Sequence, residues 1–155
     1  MIIKENFLDK EFFKEIQDHM MGRFFPWYSH NHMVEDDFLF FSHDFFNKGL
    51  VQSSVYEKFI VPIIKKLDVK ALINVRSNFN VRQNKIYTSN WHSDLTFKAK
   101  TAIYYINTCN GKTEFKDNIV ECEENKMIVF DSDEQHRMSS QTDSLKRIVI
   151  NFNYF

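Results

Sequence analysis

The sequence has little of what marks secreted or membrane-spanning proteins. Its only cysteines, Cys109 and Cys122, do not form a CxxC pair and are too few for a disulfide framework. The longest apolar runs are too short to cross a bilayer, and the first residues lack the basic-then-apolar pattern of a signal peptide. We therefore expect a soluble, intracellular protein, placed in the cytoplasm, with no membrane partner.

The sequence also has almost no net charge. Its 20 lysines and arginines and 21 acidic residues give a formal charge of −1. This balance argues against a general electrostatic attraction to nucleic acid or to anionic membranes. Nucleic acid is therefore a minor hypothesis, which would need a local basic groove formed by Arg82, Lys85, Lys98 and Lys100.

Glycine and proline are scarce, with 3 and 2 residues, whereas phenylalanine occurs 17 times. Large rings suit the pleated surfaces of a β-rich core. Strand-like segments follow one another at short intervals in the second half of the chain, at residues 71–81, 89–94, 101–108, 113–115, 119–122, 127–131 and 147–155. Asn110-Gly111 reads as a hairpin turn, and Asp117-Asn118 as a weaker one.

The first part of the chain has helical patterns. Asp9 can cap a helix that ends at Gly22, and residues 54–57 read as a capping box before a second helix, which Pro62 should kink. Between the helices, residues 23–49 read as an irregular loop. We predict one α+β domain over residues 1–155, with a helical part at about 1–68 packed on one face of a jelly-roll core at about 70–155.

Residues 91–94, Trp-His-Ser-Asp, contain the first candidate metal ligands. In an extended strand His92 and Asp94 point to the same side, and His136 follows the apolar run 127–130. Two histidines and one carboxylate are the facial triad of non-haem Fe(II) enzymes, which leaves coordination positions open. His30 and His32 form an alternative HxH pair, but no firm strand around them would hold both side chains on one face.

Arg147 begins the last apolar strand-like segment and would share a face with Asn151 and Asn153. A guanidinium group is always charged and carries forked N–H donors, which suits two-pronged binding of a carboxylate. The segment therefore predicts an anchor for an acidic cosubstrate.

The order and spacing of these residues resemble the Fe(II)- and 2-oxoglutarate-dependent oxygenases, and among them the prolyl 4-hydroxylase-like group. The resemblance rests on residues 91–94, 101–107, 130–132 with His136, and Arg147. Nearly the whole chain is similar to small, mostly uncharacterised members from phages and marine microbes, through residues 25–28, 41–43 and 147–155. The resemblance implies a double-stranded β-helix, the cupin-like jelly roll.

The resemblance also implies a role for each site residue. His92, Asp94 and His136 would bind Fe(II), and Arg147 with Tyr105 would bind the distal carboxylate of the cosubstrate 2-oxoglutarate. The activity would be that of a dioxygenase, an oxidoreductase that uses O2 and releases succinate and CO2 while hydroxylating a prolyl or other protein side chain, a peptide or a small metabolite. The retained Asp94 favours hydroxylation, because halogenating relatives have a small residue there.

One position departs from the family pattern. Arg82 stands where prolyl hydroxylases have a tyrosine ahead of the first histidine, and Asn78 is the candidate for the missing polar contact to 2-oxoglutarate. Two alternatives stay open: a jelly roll that binds a metal or a small acid without turnover, and an oxygenase that acts on nucleobases or nucleic acid. Arg147 with Tyr105 argues for the enzyme, because a purely structural metal site needs neither.

Overall fold

The computed structural model describes residues 1–29 and 40–155, which form two antiparallel β-sheets and two α-helices. The helices are α1 (Lys10–Met21) and α2 (Val61–Leu67). The strands are β1 (Ile2–Lys4), β2 (Tyr28–Ser29), β3 (Phe40–Asn47), β4 (Leu50–Val51), β5 (Leu72–Val81), β6 (Lys100–Tyr105), β7 (Cys109–Phe115), β8 (Ile119–Cys122), β9 (Met127–Asp131), β10 (His136–Ser139) and β11 (Lys146–Tyr154).

The larger sheet has the strand order β1-β9-β6-β11-β5-β3-β2, with β4 also paired to β3. The smaller sheet has the order β10-β7-β8. Most neighbours in the larger sheet are distant in sequence, as in a jelly roll, whereas β7 and β8 of the smaller sheet follow each other directly. A buried cluster that includes Tyr105 and Val149 from the larger sheet and Phe115 and Val120 from the smaller one joins the two. The jelly-roll fold predicted from the sequence is confirmed.

Helix α1 begins and ends where the sequence predicts. The Asp9 side chain accepts a hydrogen bond from the Phe12 N–H, and Gly22 follows the last turn. Its apolar side faces the larger sheet, where the Phe13 ring meets the Tyr104 ring edge-on at 6.2 Å between centroids. The helices therefore pack on one face of the core, as predicted. Within the described residues, no helix is both long and apolar enough to cross a membrane.

The start of the second helix differs from the sequence prediction. A π-helical turn at Tyr56–Ile60 precedes α2, and no side chain caps it, so the capping box predicted at residues 54–57 is wrong. Pro62 lies in the first turn of α2, at the point where the π-helical turn passes into the α-helix. The chain thus places its proline at a helix start and makes a wide turn before it.

The segment predicted to be an irregular loop contains a long strand. Strand β3 pairs with β5 from Phe40 to Phe46, with a bulge between Asp44 and Phe46. The sequence hides this strand because both of its faces are covered, so polar and apolar residues do not alternate along it. Residues 30–39, with the alternative histidine pair His30 and His32, lie outside the described part of the chain.

The side chain of His43 on β3 is buried among aromatic rings. Its Nδ1 lies 2.9 Å from the Pro26 carbonyl oxygen, and its ring centroid is 4.6 Å from that of Phe25 and 4.8 Å from that of Phe45. Its Nε2 is buried without a hydrogen-bond partner among the described residues. Burial therefore lowers the pKa of His43, and the hydrogen bond to Pro26 offsets this only in part.

We expect His43 to make the protein less stable in mild acid. Below pH 6.5 the unfolded chain binds a proton on this imidazole that the folded chain, with its lowered pKa, does not. The loss begins near pH 6.5, grows until the folded pKa is reached, and is absent above pH 6.5. The measurement is the free energy of unfolding in urea, for His43→Phe and for wild type, at each pH. The difference, variant minus wild type, should increase from its value at pH 7.5 by at most about 1.4 kcal/mol per pH unit between pH 6.5 and 5. Parallel stability curves would contradict this expectation.

Candidate active site

Three potential metal ligands converge at the junction of the two sheets. The ligand atoms of His92, Asp94 and His136 all lie within 4.8 Å of one another. Asp94 Oδ1 is 3.6 Å from His136 Nε2 and 4.0 Å from His92 Nε2. The side chain of His136 is buried, that of Asp94 is nearly so, and that of His92 is half exposed. One face of the group is thus closed by protein.

Backbone pairing brings the two histidines together. The His92 N–H donates to the His136 carbonyl at 3.0 Å, and the His136 N–H donates back to His92 at 2.9 Å. The strand predicted at residues 89–94 is replaced by isolated bridges at Thr88 and His92, because the chain pairs with β10 only at those points. Strand β10 itself is missed by the sequence analysis, since polar residues dominate it.

Hydrogen bonds orient both imidazoles for metal binding. Nδ1 of His92 lies 3.3 Å from the Asn90 carbonyl, and Nδ1 of His136 lies 3.1 Å from the Glu134 carbonyl. A proton on Nδ1 that is donated to a carbonyl leaves Nε2 with a free lone pair, which faces Asp94. Burial also lowers the pKa of His136, which keeps this ring neutral and able to bind a metal.

A cavity of about 530 Å³ lies beside these ligands and extends between the sheets to Arg147. Besides His136 and Arg137, the lining includes three amide side chains from the larger sheet and two further residues from the smaller sheet, and the segment before His92 covers one side. The residues concerned are Asn78, Asn80, Asn151, Thr113, Met138, Tyr87 and Ser89. Asn78, the predicted polar contact for 2-oxoglutarate, therefore faces the same cavity as His92 and His136.

Arg147 is a buried cation without a carboxylate partner in the described residues. Its side chain is 3% exposed, and Nη2 donates to the Lys112 carbonyl at 3.2 Å and lies 3.4 Å from Thr113 Oγ1. Its Nε is buried and has no partner among those residues. A buried charge is costly unless a counter-charge balances it. The cavity wall therefore offers a strong site for an acidic ligand.

Gly111 makes room for this arginine. A Cβ atom at Gly111 would lie 2.6 Å from Arg147 Cδ, 2.9 Å from Nε and 3.0 Å from the Ser139 carbonyl oxygen. The hairpin turn predicted at Asn110-Gly111 is wrong, because both residues lie within β7 at an irregularity of its pairing. The turn between β7 and β8 is instead at the weaker signal, Asp117-Asn118.

Tyr105 lies behind the cavity wall. Its hydroxyl donates to Thr113 Oγ1 at 2.8 Å, and burial raises its pKa, so it stays protonated. In the described residues the cavity is lined by Thr113 and not by Tyr105. Thr113 therefore stands between the predicted cosubstrate ligand Tyr105 and the cavity. The sequence analysis did not select Thr113, although its position two residues before the buried Phe115 places it on the same inward face.

The rim of the cavity carries a paired charge. Arg137 Nη2 lies 2.8 Å from Glu114 Oε2, and its guanidinium lies 4.4 Å from the centre of the Trp91 ring. The four cations required by the nucleic-acid hypothesis, at positions 82, 85, 98 and 100, do not line the described cavity. Lys100 instead pairs with Asp131 at 2.6 Å.

The described residues fit an Fe(II) ion and 2-oxoglutarate. Two imidazole Nε2 atoms and one carboxylate oxygen form a facial donor set of the kind that binds Fe(II). The orphaned Nε of Arg147 and the space left at Gly111 fit a carboxylate that enters the same cavity.

No protein-family model matches this chain, and no curated protein matches its sequence. Solved structures do match its fold. An oxidoreductase of the 2OG-Fe(II) oxygenase family from Burkholderia pseudomallei has 7% identity and a TM-score of 0.73, over 99% of this chain and 84% of that one.

Two prolyl hydroxylases are also similar in structure. That of Trichoplax adhaerens, solved with a peptide fragment of the hypoxia inducible factor oxygen degradation domain, has 14% identity and a TM-score of 0.68, over 99% of this chain and 82% of that one. A prolyl-4-hydroxylase of Pseudomonas putida has 12% identity and a TM-score of 0.59, over 99% and 91%. The protein therefore has the fold of the prolyl hydroxylases and the 2OG-Fe(II) oxygenases.

Proposed function

We propose that this protein is an Fe(II)- and 2-oxoglutarate-dependent dioxygenase that hydroxylates its substrate. The observation that carries the proposal is the buried Arg147, which has no carboxylate partner in the described residues and shares one cavity with His92 and His136. A site that only held a metal would not need such a cation. The fold shared with the 2OG-Fe(II) oxygenases supports the same conclusion.

Each residue has a defined task in this proposal. His92, Asp94 and His136 hold the metal, and the bound metal with 2-oxoglutarate supplies the oxidising power of O2 for hydroxylation. Arg147 binds the distal carboxylate of 2-oxoglutarate and fixes its direction in the cavity. Tyr105 remains a neutral donor to Thr113 Oγ1, which leaves the Thr113 hydroxyl proton free to be donated to that carboxylate.

Asn78 and the carboxylate of Asp94 complete the proposal. Asn78, on the cavity wall opposite Val149 in the β5–β11 pairing, adds a polar contact to 2-oxoglutarate. Asp94 would supply a carboxylate oxygen to the metal, and this retained carboxylate favours hydroxylation over halogenation. The overall change is that one oxygen atom of O2 enters the substrate C–H bond and the other enters succinate, with release of CO2.

The substrate we propose is a side chain of a protein or peptide, of the prolyl type, or a small metabolite. One structural neighbour, the prolyl hydroxylase of Trichoplax adhaerens, was solved with a peptide. In this chain the cavity of about 530 Å³ has room for a side chain beside 2-oxoglutarate. Its charged rim residue Arg137 is neutralised by Glu114, so the opening does not demand a charged substrate.

The test is the formation of succinate from 2-oxoglutarate by protein that is loaded with Fe(II) without oxygen and then exposed to air. We expect slow succinate formation in the absence of a substrate. His92→Ala should abolish succinate formation, because it removes one of the three proposed metal ligands. His19→Ala is the matched control, since His19 contacts Phe25 and Phe59 away from the cavity and should leave turnover unchanged.

A protein that binds neither Fe(II) nor 2-oxoglutarate in calorimetry would refute the proposal. Binding of both without any succinate, with a library of proline-containing peptides also present, would favour the alternative of a metal- and acid-binding jelly roll without turnover.

A further inference from the structure

Asp94 is tied to the interior of the larger sheet by a buried threonine. Thr101 Oγ1 lies 3.0 Å from Asp94 Oδ2, the carboxylate oxygen that faces away from the imidazoles. The other oxygen, Oδ1, is the one that faces both histidine Nε2 atoms. The Thr101 side chain is fully buried, so no water competes for its hydroxyl. The two oxygens of Asp94 therefore have different partners.

Thr101 has a second polar neighbour in Asn153. Thr101 Oγ1 lies 2.7 Å from Asn153 Oδ1, and Asn153 Nδ2 donates to Asn74 Oδ1 at 3.3 Å. Thr101 and Asn153 are directly paired on the adjacent strands β6 and β11 of the larger sheet. Their positions are therefore set by the central strands of the fold and not by a loop.

One hydroxyl proton cannot be donated to two oxygens. An ionised Asp94 can only accept, so the Thr101 proton must point at Asp94 when a metal is held. Asn153 must then supply an N–H to the Thr101 oxygen. Half-turn rotations of the Asn153 and Asn74 amides achieve this, after which every donor in the chain from Asn74 through Asn153 and Thr101 points toward Asp94.

We propose that Thr101 and Asn153 are positioning residues for the metal-binding carboxylate. They hold Asp94 Oδ2 through a directed chain of hydrogen bonds, so that Oδ1 is presented to the metal with its rotamer locked. The inference rests on the proposed function, because it needs a metal at His92, Asp94 and His136. Partners of this kind tune metal affinity by orienting the ligand.

The test compares Thr101→Val, which keeps the shape and removes the hydroxyl, with Thr101→Ser, which restores the hydroxyl. Co(II) serves as the probe, with its affinity measured by competition with a chelator and its visible absorption spectrum recorded. We expect Thr101→Val to bind Co(II) about 10- to 100-fold more weakly and to change the spectrum, and Thr101→Ser to recover most of the affinity. Thr108→Val, at an exposed threonine outside the cavity lining, is the matched control.

Thermal unfolding in chelator separates positioning from folding, because it reports the stability of each variant without metal. If Thr101→Val keeps the wild-type Co(II) affinity and spectrum, the inference is overturned and the proposed function stands. The same holds if Thr101→Ser loses as much Co(II) affinity as Thr101→Val does. If the wild type itself does not bind Co(II), both the inference and the proposed function fail.

Discussion

Replacing Arg147 with methionine is expected to weaken the binding of 2-oxoglutarate strongly and at the same time to make the protein more stable. Arg147 is 3% exposed, its Nε is buried without a partner in residues 1–29 and 40–155, and no carboxylate of those residues pairs with it. In the absence of an acidic ligand, its burial therefore costs free energy that the long hydrogen bonds to Lys112 and Thr113 offset only in part. Methionine fills a similar volume without a charge.

The two effects have different sizes and different measurements. Loss of one partner of a buried ion pair costs about 2–5 kcal/mol, so the affinity for 2-oxoglutarate in calorimetry should fall by about 1.5 to 3.5 orders of magnitude. The free energy of unfolding without ligand should rise by about 1 kcal/mol or more, which raises Tm by about 2–4 °C per kcal/mol for a chain of this size. Metal binding should be unchanged.

Arg147→Lys is the control that separates the positive charge from the forked geometry of the guanidinium group. Lysine keeps a positive charge but lacks the forked donors, so binding should recover only in part. If Arg147→Met destabilises the protein and leaves 2-oxoglutarate binding intact, then Arg147 is a structural residue and the assignment of the anchor is wrong.

Gly111→Ala is the second substitution from which we expect a large effect, although it adds only one methyl group. The added carbon would lie 2.6 Å from Arg147 Cδ and 3.0 Å from the Ser139 carbonyl oxygen. The arginine side chain can move only by leaving its place in the cavity wall, and the backbone of β10 is held by pairing with β7. We expect the apparent KM for 2-oxoglutarate to rise at least tenfold and stability to fall by about 1–3 kcal/mol.

A double-mutant cycle identifies the cause of the Gly111→Ala effect. If the methyl group acts by displacing the arginine, Gly111→Ala should cost much less stability in the Arg147→Met background than in the wild type. Lys112→Ala is the matched control in the same strand, because the Lys112 side chain pairs with Glu121 and not with the cavity. Additive effects would show that Ser139, and not Arg147, opposes the methyl group.

Several features of the fold follow from local chemistry and were predictable for that reason. Helix α1 runs from the Asp9 cap to Gly22 because short polar side chains cap helices and three apolar residues fall on one side. Strands β8 and β9 have the predicted ends, because exposed and buried residues alternate along β8 and most residues of β9 are buried and apolar. Strand β3 was not predictable, since its pairing with β5 and its burial on both faces come from distant parts of the chain.

The candidate site divides in the same way. The sequence by itself determined which residues have the chemistry: the imidazoles of His92 and His136, the carboxylate of Asp94 and the forked cation of Arg147, because residue type and spacing are local properties. The tertiary structure alone decided that their atoms converge, that Arg147 is buried without a carboxylate partner in the described residues, and that Thr113 and Thr101 stand beside them.

Gly111 illustrates the physical reason. Next to Asn110 it has the local signature of a hairpin turn, and no local rule reveals that the distant Arg147 packs over it. Contacts between strands that are distant in sequence depend on sheet pairing and packing, which residue patterns specify only collectively. The types of functional group at this site therefore follow from the sequence, whereas their relative positions depend on the folding of the whole chain.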